Sequence, residues 1–167
     1  LVENAYHHDG ISSIVSKGDQ HFSEQLQPGD STFLAVFGFP LLHGDPATAL
    51  LQPDALVVTE SKANKYFGRT DVLGESLTIQ SFAGEERDFT ITGVLKDLSF
   101  NTVTNYINGN DEMFIPASSL RFFGRSEPFY SWQNPYVLNY VKVKQGVSAE
   151  DLQQPIEQIL ADNTHDN

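Results

Sequence analysis

FLAVFGFPLLHGDPATALLQPDALVVTESKANKYFGRTDVLG, residues 33–74, is the stretch whose punctuation decides the fold class. Phe33, Leu34, Val36 and Phe37 give a helical apolar stripe, with Asp30 or Ser31 placed to cap it and Gly38 to stop it in the left-handed region. An FPLL run leads into Gly44-Asp45-Pro46, Ala47 to Leu51 can make one helical turn, and Pro53-Asp54 resets the chain. Leu56, Val57 and Val58 then form a contiguous apolar run, the pattern of a buried strand. Thr59 stands where a helix N-cap belongs and Glu60 where the helix dipole favours an acid. The helix Glu60 to Phe67 turns Ala63, Tyr66 and Phe67 to one face and its lysines outward, Gly68 closes it, and Asp71 to Gly74 turns the chain. Nothing in the stretch resembles a nucleophile, so its order is an architectural signature.

C-terminal to it the period changes to two. Leu77 and Ile79 alternate with polar neighbours, Phe89, Ile91 and Gly93 do the same, and the Ala83 to Glu86 tip joins the two strands as a hairpin. Ser99 to Asp111 holds four asparagines and little periodicity, which predicts an exposed loop. Met113 to Ile115 reads as a short strand ended by Pro116, Ala117 to Phe123 as a short helix, and Gly124 to Pro135 as an aromatic-rich loop. Tyr136 to Lys144 alternates with Val137, Asn139, Val141 and Val143 on one face. Ser148 with Asp151 has the form of a capping box opening a helix with Leu152, Ile156, Ile159 and Leu160 on its apolar side, and Pro155 should kink it. On the N-terminal side, residues 1–29 are polar and show one strand, Ile11 to Val15. Strands and helices are mixed, and the hairpins point to antiparallel pairing, so the fold class is α+β.

Composition removes several functions. With 22 acidic against 10 basic residues the net charge is -12, which argues against binding nucleic acid or anionic lipid, both of which need clustered Lys and Arg. There are no cysteines, and therefore no disulfide framework and no thiolate metal site or nucleophile. No apolar run reaches the roughly 18 residues needed to span a bilayer, and the N-terminus lacks the pattern of a signal peptide. Leu1 stands where an initiator methionine would be expected, which predicts that the chain begins inside a longer protein.

Catalytic motifs are missing too. Neither Gly-x-Ser-x-Gly nor Gly-x-x-x-x-Gly-Lys occurs, and none of the six lysines follows a glycine-rich loop. Of His7, His8, His21, His43 and His165, only His7-His8-Asp9 forms a cluster, and neighbouring side chains point apart on a helix or a strand. Asp45, Glu60, Asp71, Glu75 and Asp97 fall at turns or helix starts, where capping accounts for them. No calcium-loop spacing is present. The expectation is that the chain holds no catalytic residue, no cofactor-binding residue and no metal ligand, and takes no cofactor.

The order VFGFPLLHGDPATAL, LVVTESKANKYFG, the turn Asp71 to Gly74, FTITGVLKD at residues 89–97 and MFIP at 113–116 resembles the periplasmic core domain of MacB/FtsX-type ABC transporter permeases. The closing KVKQGVSAEDLQQPIEQIL resembles that family's final strand and helix, so the likeness runs over residues 30–160. The resemblance implies two α+β lobes with mixed and antiparallel sheets, one membrane-proximal and ferredoxin-like, the other distal and β-rich. On that basis residues 1–29 form a weakly determined strand and loop region, 30–135 the distal lobe with its signature at 33–116, and 136–167 a strand-helix unit of the proximal lobe. The proximal lobe is expected to be incomplete in this chain. Gly38, Gly44, Gly68, Gly74 and Gly93 match the family's punctuation. The Ser99 to Asp111 loop departs from it, where relatives continue through a proline and a histidine.

The resemblance further implies a non-enzymatic extracytoplasmic domain on the periplasmic side of the bacterial inner membrane, in a membrane-anchored parent. There it would relay ATP-driven movement, with hydrolysis in a separate cytoplasmic subunit or domain. Its partners would be the parent's transmembrane helices, the ABC ATPase reached through them, and an adaptor or a protein or lipid cargo, while the net charge of -12 separately predicts no nucleic-acid partner and a monomeric isolated chain. The contrasting reading is a soluble extracytoplasmic metal-binding or hydrolytic protein using His7 and His8 with remote acids. A third is a plain adhesion or assembly domain.

Overall fold

The Phe33–Gly74 stretch builds the centre of the fold in the computed structural model, which describes residues 1–29, 32–99, 102, 112–125 and 138–164. Helix α1 (Phe33–Phe37) ends at Gly38, whose φ of 65° is left-handed. Thr32 stands at its N-cap without a side-chain cap bond, and the expected caps Asp30 and Ser31 lie outside the described residues. The single turn after Pro46 forms as the Ala49 amide donates to the Asp45 carbonyl at 2.9 Å. In α2 (Glu60–Phe67), Thr59 accepts from the Lys62 amide and Gly68 closes the helix at φ 69°. Asp97 supplies a second cap from a distant part of the chain, accepting from the Ser61 amide at 2.8 Å and the Ser61 hydroxyl at 2.6 Å.

The first 29 residues correct the reading of a single strand. Three form: β1 (Val2–His8), β2 (Ile11–Lys17) and β3 (Gln20–Gly29). They are followed by β4 (Leu41–Gly44), β5 (Ala55–Thr59), β6 (Ser76–Gln80), β7 (Glu86–Leu95), β8 (Met113–Pro116) and β9 (Leu138–Val143). A 3₁₀ helix occupies Ala117–Phe123, and α3 spans Glu150–Asn163, running through Pro155. The Ser148–Asp151 capping box is in place, with the Ser148 amide donating to the Asp151 carboxylate at 2.8 Å.

Among the described residues, seven strands make one mixed sheet in the order β4-β7-β5-β8-β3-β2-β6, and β6 also pairs with β7. The sheet thus closes on itself as a small barrel, with β4 continuing along the β7 edge beyond β6. β5–β7 and β3–β8 are parallel, whereas the other pairings are antiparallel. The separate pair β1–β9 forms an antiparallel ribbon.

Alternation across β5, β7 and β8 divides the apolar residues between two clusters. Leu56, Val58, Ile91, Val94, Met113 and Ile115 join the inner cluster with Phe89 and Leu77. Val57, Leu95 and Phe114 point the other way, into an outer cluster with Tyr6, Phe33, Leu34 and Leu50. Both faces of β5 are covered, which is why all five of its residues are buried and why its sequence is contiguous and not alternating.

Gly44 and Gly93 explain their places in the signature. They face each other across β4 and β7, and a Cβ on Gly44 would lie 2.5 Å from the Thr92 carbonyl oxygen and 3.0 Å from Gly93 Cα. Gly44 also has φ 97°, so close backbone approach and a left-handed conformation both require it.

Candidate functional site

Among the described residues, charged side chains drawn inward pair in two places. The first is the seam between α2 and β3. Glu24 lies on the face of β3 that carries Phe22 and Leu26, with its side chain only 5% exposed. It accepts from Lys62 Nζ at 2.5 Å, Lys65 Nζ at 2.6 Å and Tyr66 Oη at 2.9 Å. Lys62 also reaches Glu112 at 3.2 Å, and the Lys65 ammonium sits 3.8 Å over the Phe22 ring. The expectation that the α2 lysines face outward is therefore corrected, because the Lys62 side chain is only 14% exposed. Burial pushes the Glu24 carboxyl up, but the hydrogen bonds from Lys62, Lys65 and Tyr66 outweigh it and hold the group below its ordinary range. Burial lowers Lys62 and its two carboxylate partners more than reverse this, leaving it raised. Burial and the Glu24 charge both push the Tyr66 phenol up. Every charge here is matched, so the cluster fastens α2 to the barrel.

The second place is the junction of ribbon and barrel. Asp9, directly after β1, pairs with Arg125, directly after the 3₁₀ helix and Gly124. Their side chains are 10% and 19% exposed. The Arg125 guanidinium also lies 5.5 Å from the centre of the Phe82 ring. Close by in sequence, Tyr6 is buried in the outer cluster, and its hydroxyl donates to the Pro28 carbonyl at 3.0 Å.

The described histidine side chains do not assemble. His8 is buried at the end of β1, and burial lowers its pKa against the opposing pull of Asp9. His7 stands opposite Asn139 in the ribbon, with its side chain outside the described residues. His21 Nδ1 is 2.7 Å from the Ser16 hydroxyl, His43 lies in β4, and His165 is outside the described residues. Among the described residues no three His, Asp or Glu side chains are grouped as a metal would need. A shallow groove of about 280 Å³ opens where β2 and β6 part, lined by Ser12, Ser13, Ile14, Gln80, Ser81 and Phe82 among others. The Ser99–Asp111 and Gly124–Pro135 loops fall almost wholly outside the described residues.

Among the described residues, one set of exposed apolar side chains lies near the ends of the chain. Val2, Leu138 and Val141 of the ribbon are 41%, 50% and 45% exposed, and Ile156, Ile159 and Leu160 of α3 are 48%, 46% and 44% exposed. Only Leu152 of the expected apolar side of α3 is buried. In β9 the inward residue is Tyr140, which packs against Tyr6 and Phe37, and not the Val141 face that alternation favours.

The profile of the MacB-like periplasmic core domain family matches residues 4–159. The chain belongs to that family. No curated protein matches it. Three solved structures share the fold of this MacB-like domain. A domain described as that of a permease protein from Porphyromonas gingivalis superposes with TM-score 0.74 at 24% identity, over 98% of this chain and 65% of that one. The periplasmic region of MacB from Actinobacillus actinomycetemcomitans gives 0.64 at 17%, over 96% and 67%. The extracellular domain of the ABC-type transporter YknZ from Gram-positive bacteria gives 0.65 at 19%, over 97% and 76%. The MacB-like chain thus spans less than two thirds of the Porphyromonas domain's length. Family membership makes it a MacB-like periplasmic core domain and sets it on the periplasmic side.

Proposed function

We propose that this domain is the non-enzymatic extracytoplasmic part of a membrane-anchored ABC transporter permease, relaying ATP-driven movement from the membrane to a cargo or an adaptor. The family match over residues 4–159 is the observation that carries the reading. The chemistry agrees with it, since the Glu24 and Asp9–Arg125 clusters serve as fastenings. ATP is hydrolysed in a separate cytoplasmic domain or subunit, and the movement arrives through transmembrane helices of the parent. The net charge of -12 makes a nucleic-acid partner unfavourable and favours a monomer for the isolated chain.

In this reading the expected 1–29 region is split, β2 and β3 belonging with the barrel and β1 with β9. The distal lobe is the barrel, and the membrane-proximal unit of residues 136–167 gains the N-terminal strand β1, which pairs with β9. The domain acts by differential contact: a partner must engage it more strongly in one transport state than in another.

Deleting residues 1–164 from the parent permease, with a short linker in their place, should abolish transport while ATP hydrolysis persists. Wild-type transport in the deletion, with unchanged coupling to ATP hydrolysis, would sink the relay role. Calorimetric titration of the purified chain with zinc should give no heat. A stoichiometric binding isotherm would instead restore the histidine-centred metal reading.

A further inference from the structure

The chain passes between ribbon and barrel at two points, and the structure ties both together. One is Asp9-Gly10, between β1 and β2, and the other follows the 3₁₀ helix on the way to β9. Asp9 stands at the ribbon side of the first passage and Arg125 at the barrel side of the second, and the two form an ion pair with each other. Both side chains are largely removed from water, where charges are poorly screened and a paired contact resists separation. Arg125 further engages Phe82, whose ring lies 5.7 Å from Phe123, so the β6–β7 turn is drawn into the same junction.

Among the described residues, the buried side chains of β1 gather at one end of the ribbon. In β1, Val2, Glu3 and Ala5 are exposed, while Tyr6 and His8 are buried. Tyr6 enters the outer cluster with ring centroids 4.6 Å from Phe33 and 5.3 Å from Phe37, and Tyr140, opposite it in β9, packs alongside at 6.3 Å. The other end, where Val2 pairs with Val143, is open to solvent and leads towards α3. An antiparallel pair buried at one end and exposed at the other has the form of a lever.

We propose that Tyr6 and the Asp9–Arg125 pair are the joint through which displacement of the β1–β9 ribbon is passed to the barrel. The mechanical part of this rests on the relay reading above. The joint itself is a property of this chain: with it intact, ribbon and barrel move as one body, and with the ion pair removed the ribbon swings independently.

Hydrogen exchange on the 167-residue chain tests the joint. In Asp9→Asn, amides of β1 and β9 should exchange about tenfold faster or more, while those of β5 and β7 keep their protection. The exchanged pair Asp9→Arg with Arg125→Asp should recover much of the lost protection, which a general loss of packing would not. If Asp9→Asn does not fold, Arg125→Lys keeps the charge, loses the planar fork and gives the same contrast more weakly. Unchanged β1 and β9 exchange, or equal acceleration in β5 and β7, overturns the joint. In the parent permease, Asp9→Asn should reduce transport at unchanged ATP hydrolysis. If deletion of the domain abolishes transport but Asp9→Asn, with its ribbon shown to be released, does not reduce it, the joint plays no part in the relay. If deletion leaves transport intact, the relay reading fails and the exchange result alone decides the joint.

Discussion

β5 and β9 are both short valine-bearing strands, and they lie in opposite surroundings. All five residues of β5 are buried, whereas none of β9 is, and Leu138 and Val141 are about half exposed. β5 has β7 and β8 on its two edges and an apolar cluster on each face. β9 has β1 on one edge and a single ring, Tyr140, turned towards the outer cluster. An apolar strand is therefore stabilised in proportion to the faces and edges that neighbours cover. Its own residues only decide which faces are worth covering.

The comparison breaks hardest at the outer cluster, where the two regions meet. Phe33 is fully buried and packs its ring against Tyr6, Phe37, Phe39 and Phe114. Phe33→Ala should cost about 4 kcal/mol through lost transfer energy and the cavity left behind. Urea unfolding followed by circular dichroism measures this. A loss below about 1 kcal/mol would mean that the outer cluster is dispensable and that β5 depends on its inner face alone.

Next in size is the polar fastening of α2. Glu24→Gln removes the charge that pairs two lysines and one of the two oxygens that accept from them, and should cost about 3 kcal/mol near neutral pH. The sign with pH follows from the depressed Glu24 pKa. The unfolded state takes up a proton before the folded state does, so the stabilisation is complete above the unfolded carboxylate pKa. It is lost as pH falls through the folded value. Denaturation midpoints of wild type and Glu24→Gln should therefore converge as pH falls through the acid range. A constant gap between them would show that the carboxylate charge is not what holds α2.

Much of the barrel is legible in the sequence because its evidence is local. Thr59, Gly68 and the run Leu56–Val58 define β5 and α2 without reference to the rest of the chain, and the hairpin of β6 and β7 is written in period-two alternation. β3 is hidden because its inward face reads Phe22, Glu24, Leu26, and an acid in the middle of that alternation imitates a surface loop. Its meaning depends on Lys62, Lys65 and Tyr66, which lie about forty residues away. β1 is hidden because its partner, β9, is at the other end of the chain, and Asp97 looks like a turn residue until α2 is set against it. The absence of catalytic motifs is visible at once in the sequence. The joint at Asp9 and Arg125 is not, since it exists only through a pairing across most of the chain.

A smaller effect is expected where the barrel's edge strand meets β7. Gly44→Ala forces a Cβ against the Thr92 carbonyl oxygen at a left-handed φ, and should cost about 2 kcal/mol. Because the clash is with backbone, no side-chain rotamer relieves it. The loss should appear in hydrogen exchange as reduced protection of β4 and the C-terminal half of β7, with the β2–β3 hairpin unaffected. Equal loss in both places would show that β4 is a structural member of the closed barrel and not a strand laid along its edge.

The smallest effect should come from the exposed apolar residues near the chain ends, and it is the sharpest check on the comparison. Val57→Thr puts a hydroxyl into the outer cluster, whereas Val141→Thr is the same change at a position 45% exposed. Ile159→Gln likewise replaces a side chain 46% exposed on α3. In the isolated chain Val141→Thr and Ile159→Gln should each shift stability by less than about 0.5 kcal/mol, while Val57→Thr should cost several times more because its hydroxyl has lost water. The contrast follows from covered faces alone, since two of the three substitutions are chemically identical. Should Val141→Thr prove as costly as Val57→Thr, the ribbon face is covered in solution, and a self-association measurement by sedimentation would show whether a second copy of the chain covers it.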